Sequence, residues 1–514
     1  MPSETCRQPF QIARSLFHMA PGAFKVAPEA LEPWHVEAIL QKAGFSDEDF
    51  KGQGGSSVVV AVAMFSSLAG LLMGLDIGYI AGVKSMRSFA HGLLDEEVLG
   101  DTQDGLITMI FGVGAAVAAF PPIMDSLVRC LGRRGAVLAG GATFCLGSLL
   151  QALAVDLSML LVGRLVAGLA VGLLSGNAPV YTSEIAPPQI RGALIQLFQF
   201  AVTIGIMLAF LLALLLQDVE KPIGGWRWVI AAQFVPGLLL VLGALTMPGS
   251  PRYLVATGKP REALAMLLRL RAGDVRYELA QICQEHELEA AGTWRDFLSG
   301  DSRKLLVIGI LIQLLQQLCG MNAFMYCGPL IFQKIFGDAD VGRLFTVISG
   351  VVNIIATAPS LYLVDRCGRT ILMKWSALGM MMCSGCLALL GNFCYSGEPC
   401  YDWAEWTATV AIWCFILNFA FGWGGMPWVY CAEMFSQKHR TKGVAATTTA
   451  NWIGNILIAF LPPVLFEHCG FNTFWLFVLT DSVCLFCAMS LPETKDKSLE
   501  EITEMFSSWL NSKD

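Results

Sequence analysis

The sequence predicts an all-α membrane protein with twelve transmembrane helices in two six-helix halves and cytosolic helices between the halves. Three observations carry that prediction: twelve long apolar runs, a polar interval of about 55 residues between the sixth and seventh, and motifs that recur in the same order in both halves. Apolar residues make up 55% of the 514 and charged residues 15%, with a mean hydropathy of +0.59. Soluble domains average about 45–50% apolar and about a quarter charged. This chain lacks the charge to coat several soluble domains.

In chain order, residues 1–57 are mixed polar, carry acidic Asp47, Glu48 and Asp49, and contain no cleavable signal peptide. They read as a cytosolic N-terminal tail with a short helix around Glu29–Ala43. A spanning helix needs about 20 mostly apolar residues. Such runs fall at 58–83, 104–124, 135–154, 158–181, 191–216 and 227–247, then at 304–332, 343–364, 371–393, 406–431, 441–466 and 471–491. They divide the chain into a first half (58–247), a linker (248–303), a second half (304–491) and a C-terminal tail (492–514). Within the linker, Pro260–Leu270 and Val275–Ala290 alternate apolar and charged residues at helical spacing, as amphipathic helices do.

Lys and Arg concentrate in the tails and even-numbered loops: Arg129, Arg133, Arg134, the 252–304 stretch, Arg366, Arg369, Lys438, Arg440 and Lys442. The positive-inside bias therefore predicts that both termini are cytosolic. Plasma membrane is the default location.

The halves repeat one another at an offset of roughly 240 residues. Glu184-Ile-Ala-Pro-Pro-Gln-Ile-Arg191 ends the fourth span and Glu433-Met-Phe-Ser-Gln-Lys-His-Arg440 the tenth. Pro248-Gly-Ser-Pro-Arg252 follows the sixth, and Pro492-Glu-Thr-Lys495 the twelfth. Arg129-Cys-Leu-Gly132-Arg133-Arg134 joins spans two and three; Asp365-Arg366-Cys-Gly368-Arg369 joins eight and nine. Parallel six-helix repeats with a site between them near mid-membrane are an alternating-access architecture.

Other classes recede. A net charge of −7 without a basic run argues against nucleic acid. The 16 cysteines are scattered, mostly in apolar runs, no CxxC pairing suggests zinc, and the six histidines lie outside the apolar cores. No metal or cofactor is expected. No nucleophile–base constellation marks an enzyme. Cys394, Cys400 and Cys469 fall on the non-cytosolic side, where a Cys394–Cys400 bridge or free thiols are both compatible with the sequence.

The chain resembles the sugar porter family of the major facilitator superfamily over residues 58–505. Matching stretches are Gly74-Leu-Asp76-Ile-Gly78, Gly163-Arg164, Gln316-Gln317-Leu-Cys-Gly320-Met-Asn322 and Pro492-Glu-Thr-Lys-Asp-Lys-Ser-Leu499-Glu500-Glu501. The run Asp76-Ile-Gly-Tyr-Ile-Ala-Gly-Val-Lys-Ser-Met86 is most similar to plant-type monosaccharide/proton symporters. Three departures stand out. Val128 replaces the usual acid between spans two and three, with Asp125 out of register. Gly249 replaces the Glu of a Pro-Glu-Ser-Pro-Arg motif. The cysteine that would tie the first extracellular loop has no counterpart between Lys84 and Asp101.

The resemblance implies a major facilitator fold and transport of a monosaccharide, such as the hexose glucose, with a proton as coupling ion and membrane lipid as surroundings. Each sugar hydroxyl both donates and accepts, so side-chain amides suit it, and an aromatic plane suits its C–H face. The implied contacts are Gln199, Gln316, Gln317, Asn322, Asn353 and Asn451, with Trp428 and Trp452 as aromatic walls. Interhelical hydrogen bonding is the alternative for any single amide, and interfacial anchoring for a Trp. Asp76 and Arg164 are the implied proton-coupling pair. Burial disfavours a lone carboxylate and a nearby arginine favours it, so an acid poised between them takes up a proton when the arginine moves away. A permanent structural ion pair is the alternative. Arg133, Arg134, Glu184, Arg191, Asp365, Arg369, Glu433 and Arg440 are expected as gating ion pairs, or as topology-setting charges that cap helix ends. A passive uniporter, and a non-transporting sensor using the 57-residue N-terminal tail, are the competing functions.

Overall fold

The computed structural model describes residues 33–45, 50, 56–84, 86–94, 101–217, 219, 224–271, 274–288, 294–394, 402–497 and 499–511. Every regular element among them is helical. By contacts the chain forms two units: residues 1–59 with 251–288, and residues 60–250 with 289–514.

The smaller unit joins the tail to the linker. A helix at Pro33–Lys42 packs its Val36 and Leu40 with Leu264, Leu267 and Leu279 of the helices Pro260–Leu270 and Arg276–Leu288. Arg271 and Glu278 pair at 2.6 Å beside that core. The tail helix was legible from its composition; its attachment to the linker was not, because no residue pattern names a partner for four apolar positions.

The larger unit holds the spans. Among the described residues, eleven helices are long and apolar enough to cross a membrane, and Gln103–Ala119 is a shorter apolar one. That second span does not stop there. The chain bends at Phe120 (φ −53°, ψ 127°) ahead of Pro121 and Pro122, then runs on helically to Gly132. Gly132, at φ 73° and ψ 169°, turns it into the third span. Twelve crossings result, in the expected order. Gly368, at φ 96° and ψ 161°, makes the same turn between spans eight and nine. A side chain is strained at positive φ, so the glycine of each Gly-Arg motif is required by the backbone.

Among the described residues, three spans besides the second are broken. The sixth divides into Gly225–Ala232 and Phe234–Ala244. The seventh divides into Gly300–Leu318 and Met321–Phe336 around left-handed Gly320 (φ 95°). The tenth divides into Asp402–Phe421 and Met426–Met434 around the glycine-rich Gly422–Gly425. Breaks free backbone carbonyls that something must satisfy within a membrane. The halves meet along two seams, span five against span eight and span two against span eleven. The end that carries Ser250 and Leu491 is called tail-side below, the opposite end far-side.

Candidate functional site

A cavity lies between the halves. The first half contributes Met73 and Ile77 from span one and Gln199, Val202 and Ile206 from span five. The second contributes Gln316, Gln317 and Asn322 from the broken span seven, Asn353 from span eight, and Gly424 and Trp428 from the broken span ten. Gly320 brings Asn322 back toward Gln317, whose Oε1 accepts from Asn322 Nδ2 at 2.5 Å. A continuous helix would hold residues five apart further along its axis.

Six of the eight expected contact residues line this cavity; Asn451 and Trp452 do not. Asn451 lies behind it. Its Nδ2 donates to Gln316 Oε1 at 2.5 Å and Gln313 Oε1 at 2.6 Å, and its Oδ1 accepts from Gln317 Nε2 at 2.8 Å. Trp452 is fully buried in the seam between the halves. Its Nε1 donates to Ser175 Oγ at 3.1 Å, and its ring meets Phe111 edge-on at 5.5 Å. The reason is register: 100° per residue turns Asn451 and Trp452 away from a cavity that spans seven and ten already close.

The amides are not equally free. Gln316 Nε2 donates to Trp423 O at 3.2 Å and Gly424 O at 2.7 Å, satisfying carbonyls released by the break in span ten. Gln317 Oε1 also accepts from Asn455 Nδ2 at 3.5 Å, and Asn455 Oδ1 accepts from Tyr326 OH at 3.0 Å. By contrast, Asn353 Oδ1 is buried without a partner. Gln199 is 8% exposed, in the same cavity. Trp428 supplies an aromatic plane backed by Phe198, ring centroids 5.7 Å apart. Sequence reasoning missed Gln313 and Tyr326, which stabilise the amide network from outside, and the apolar wall of Met73, Ile77, Val202 and Ile206. An apolar residue in an apolar helix carries no sequence signal of the face it occupies.

Asp76 is fully buried beside that wall, one residue before Ile77 and three after Met73. Arg164 Nη1 stands 3.7 Å from Asp76 Oδ2, and neither carboxyl oxygen has a hydrogen-bond partner. The guanidinium is held elsewhere: Nε donates to Ile107 O at 2.5 Å and Nη1 to Tyr79 OH, which in turn donates to Gln151 Oε1. Arg164 thus faces the acid without closing on it.

The charged tail-side residues pair differently from the spacing that suggested Glu184 with Arg191 and Glu433 with Arg440. Glu184 pairs with Arg133 at 2.8 Å, and Glu433 with Arg369 at 3.0 Å. The helices end between each acid and its distant arginine. Ala186 is extended after span four and Phe435 after span ten, so a seven-residue spacing does not keep the two on one face. Arg191 instead donates to Lys497 O at 3.3 Å, and Arg440, fully buried, acts electrostatically on Glu184 across the halves. Arg134 donates to Ala244 O at 2.8 Å and Leu245 O at 2.5 Å, capping the end of span six. Asp365 pairs with Arg369 at 3.1 Å and accepts from Ala193 N at 2.8 Å. With Arg133 Nη2 to Thr441 Oγ1 (3.0 Å) and Gln196 Nε2 to Ser360 Oγ (2.9 Å), that bond joins the halves at the tail side. Among the described residues no three His, Cys, Asp or Glu side chains converge as a metal would require. The Cys394–Cys400 bridge falls outside the described residues, which end at Cys394 before that loop.

Two pseudo-equivalent six-helix halves around a central polar cavity define a membrane transporter of the major facilitator type. The family model described as Sugar (and other) transporter matches residues 62–506. A galactose-proton symporter of Escherichia coli K12 is 33% identical over 464 residues, covering 89% of this chain and 96% of that one. Sugar transport protein 10 of Arabidopsis thaliana is 30% identical over 495 residues, covering 90% and 94%. In structure the chain is similar to the proton:xylose symporter XylE bound to 6-bromo-6-deoxy-D-glucose, with a TM-score of 0.78 at 24% identity, covering 88% of this chain and 99% of that one. The chain belongs to the sugar porter family: it is a multi-pass membrane transporter and not an enzyme.

Proposed function

We propose that the protein carries a neutral monosaccharide, a hexose such as glucose first, through the central cavity in symport with a proton taken up by Asp76. The cavity offers what a sugar needs: a free acceptor on Asn353, an amide on Gln199, further polar edges on Gln317 and Asn322, and the Trp428 plane. Each hydroxyl left unpaired there would cost about 1–3 kcal/mol, so convergence of several amides selects a polyol over an apolar solute. Names of relatives point the same way, since they include galactose-proton and arabinose-proton symporters. Asn451 acts by holding Gln316 and Gln317, and Trp452 by packing the seam.

The observation that carries proton coupling is the Asp76–Arg164 geometry: a fully buried carboxyl, 3.7 Å from a guanidinium that is bonded elsewhere. A buried carboxylate needs a partner or a proton. Arg164 supplies a partner in this arrangement. A shift of span four against span one would withdraw it and make protonation the remaining solution. Met73 and Ile77 link the acid's helix to the sugar wall, so the two events share one moving part.

The tail-side bonds between the halves support a state closed at that end, and their charged partners serve as the latch that opens when the halves rock. Their excess of Lys and Arg makes the tail side cytosolic, with both termini inside and the plasma membrane as the location. The test is labelled-sugar uptake by proteoliposomes with and without an inward proton gradient. The parent is expected to accumulate sugar against its gradient, and Asp76→Asn to equilibrate it only. A parent that equilibrates sugar and ignores the proton gradient is a uniporter, and the role of Asp76 falls.

A further inference from the structure

Span twelve, Phe474–Ser490, carries a fully buried carboxyl in the other half from Asp76. Asp481 Oδ2 accepts from Ser384 Oγ of span nine at 2.9 Å, and its Oδ1 is buried without a partner. The titratable groups that face it are thiols: Cys319 at the break of span seven, Cys383 on span nine and Cys484 on its own helix. Among the described residues no Lys, Arg or His pairs with it. Asp76 has a guanidinium beside it, whereas Asp481 has one hydroxyl. Nothing in the transport cycle argued above uses this acid.

The helix that carries Asp481 also holds the break in span seven. Thr480 Oγ1 donates to Leu318 O at 3.0 Å, and Cys484 Sγ to Leu315 O at 3.8 Å. The Phe477 ring lies so close to Gly320 that a Cβ there would meet it at 2.7 Å. Residues 477, 480, 481 and 484 share one face at helical spacing. That face backs the turn that brings Asn322 to Gln317 in the central cavity. The carbonyls of Leu315, Gln316, Gln317 and Leu318 accept from Cys319 N, Cys319 Sγ, Gly320 N and Thr480 Oγ1 respectively. With those oxygens turned to hydrogen-bond donors, the surroundings of Asp481 suit a proton rather than a metal cation.

We infer that Asp481 is a positioning residue for the sugar site, held as the neutral acid throughout the transport cycle. A carboxylate buried in a membrane protein without a cation is strongly disfavoured, and a bound proton removes the charge. As the acid, Asp481 still accepts from Ser384 and ties span nine to span twelve. Span twelve in turn fixes Leu318 and Gly320, and so the placing of Gln317 and Asn322. Arg164 can stand in for the proton on Asp76, but a serine hydroxyl cannot replace the one on Asp481, which therefore stays. The inference rests on the sugar-transport reading for its consequence and adds a second, retained proton to it.

The test joins infrared spectroscopy to kinetics. The purified protein at neutral pH is expected to show the carbonyl stretch of a protonated carboxylic acid that Asp481→Asn removes and Asp76→Asn leaves in place, with sugar and without it. In proteoliposomes supplied with labelled D-glucose, D-galactose or D-xylose, Asp481→Asn, a neutral isostere, is expected to keep KM and kcat within about two-fold of the parent. Asp481→Leu, which cannot accept from Ser384, is expected to raise KM about five-fold at nearly unchanged kcat. A spectrum that Asp481→Asn leaves unchanged means that Asp481 is ionised and overturns the inference. So does a band that vanishes when sugar is added, or a KM that rises in both variants or in neither. If Asp481→Leu does not fold, the band and the Asn variant still decide. The two readings separate, because a parent that moves none of the three sugars overturns transport while the band alone decides the proton on Asp481.

Discussion

In the first half, Glu184 pairs with Arg133 at 2.8 Å and accepts from Ser250 Oγ at 2.5 Å. In the second, Glu433 pairs with Arg369 at 3.0 Å and accepts from Thr494 Oγ1 at 2.8 Å. Tyr181 OH donates to Pro248 O and Tyr430 OH to Pro492 O, both at 2.8 Å. Acid, arginine, hydroxyl and tyrosine thus recur at matching places. Around that shared core the halves part. Asp365 gives the second cluster another carboxylate, whereas its counterpart Val128 packs against Met124, Leu173 and Ala445. Glu493 accepts from Arg369 N at 2.9 Å and Thr370 N at 3.0 Å, capping span nine, whereas Gly249 has no side chain to offer span three. The tail-side closure is therefore held by a carboxylate along the span five–eight seam, through Asp365 and Ala193, whereas on span eleven the bond from Arg133 to the neutral acceptor Thr441 sits beside the apolar contact of Val128 with Ala445. The difference teaches that the repeated core suffices for pairing, while the extra acid adds to one seam a bond between the halves that accepts on a carboxylate.

The sharpest way to break the comparison is to remove each arginine in turn. Arg369→Met strands two carboxylates, buried Glu433 and partly buried Asp365, and Arg133→Met strands one, buried Glu184. Breaking a buried pair by removing one partner costs about 3–5 kcal/mol. Arg369→Met is expected to lower the thermal midpoint of the detergent-purified protein more than Arg133→Met does, both followed by tryptophan fluorescence. Equal losses would mean that Asp365 adds nothing to the second cluster.

A smaller effect is expected from Asp365→Ala. It deletes the bond to Ala193 N, a charge-assisted contact worth about 1.5–3 kcal/mol, and leaves the contacts of span eleven with the first half intact. Spin labels at the tail-side ends of spans five and eight should report a longer distance in an increased fraction of molecules. Labels on spans two and eleven should move less, if that seam acts as the pivot. Equal opening on both seams would refute the asymmetry.

Much of the architecture was legible because membranes simplify folding: long apolar runs, loop charge and a repeat already define twelve helices and their order. The cavity was half legible. Gln316, Gln317 and Asn322 announced themselves as polar residues around a glycine in an apolar helix, and they do line it. Their hydrogen bonds were not legible, because which amide faces sugar and which faces another amide depends on rotations of about 100° per residue and on breaks in two helices. The charged partners failed for the same reason. Spacing along the chain ranks Arg191 nearest Glu184, and folding brings Arg133 from another helix instead. The attachment of Val36 and Leu40 to the linker helices had no signal at all, since a short apolar face fits many surfaces.

The least disruptive way to sharpen the comparison is to give the first half what it lacks. Gly249→Glu puts a carboxylate at the position matching Glu493, and Gly249 is not among the glycines held at positive φ, so the backbone accepts a side chain there. Span three begins at Arg133, just after the Gly132 turn, as span nine begins at Arg369 after Gly368. A carboxylate on those first amides would act as Glu493 does, for a gain of about 1 kcal/mol from capping and helix-dipole interaction. The variant should melt slightly higher and carry sugar more slowly, because the added bonds belong to the tail-closed state and must break before the site opens inward. Val128→Asp is the contrasting change. It restores the other missing acid inside an apolar cluster, and should destabilise. A stabilising Val128→Asp together with a neutral Gly249→Glu would show that the first half lost the wrong acid for the reason given. The opposite pair would place its asymmetry in the seam it packs.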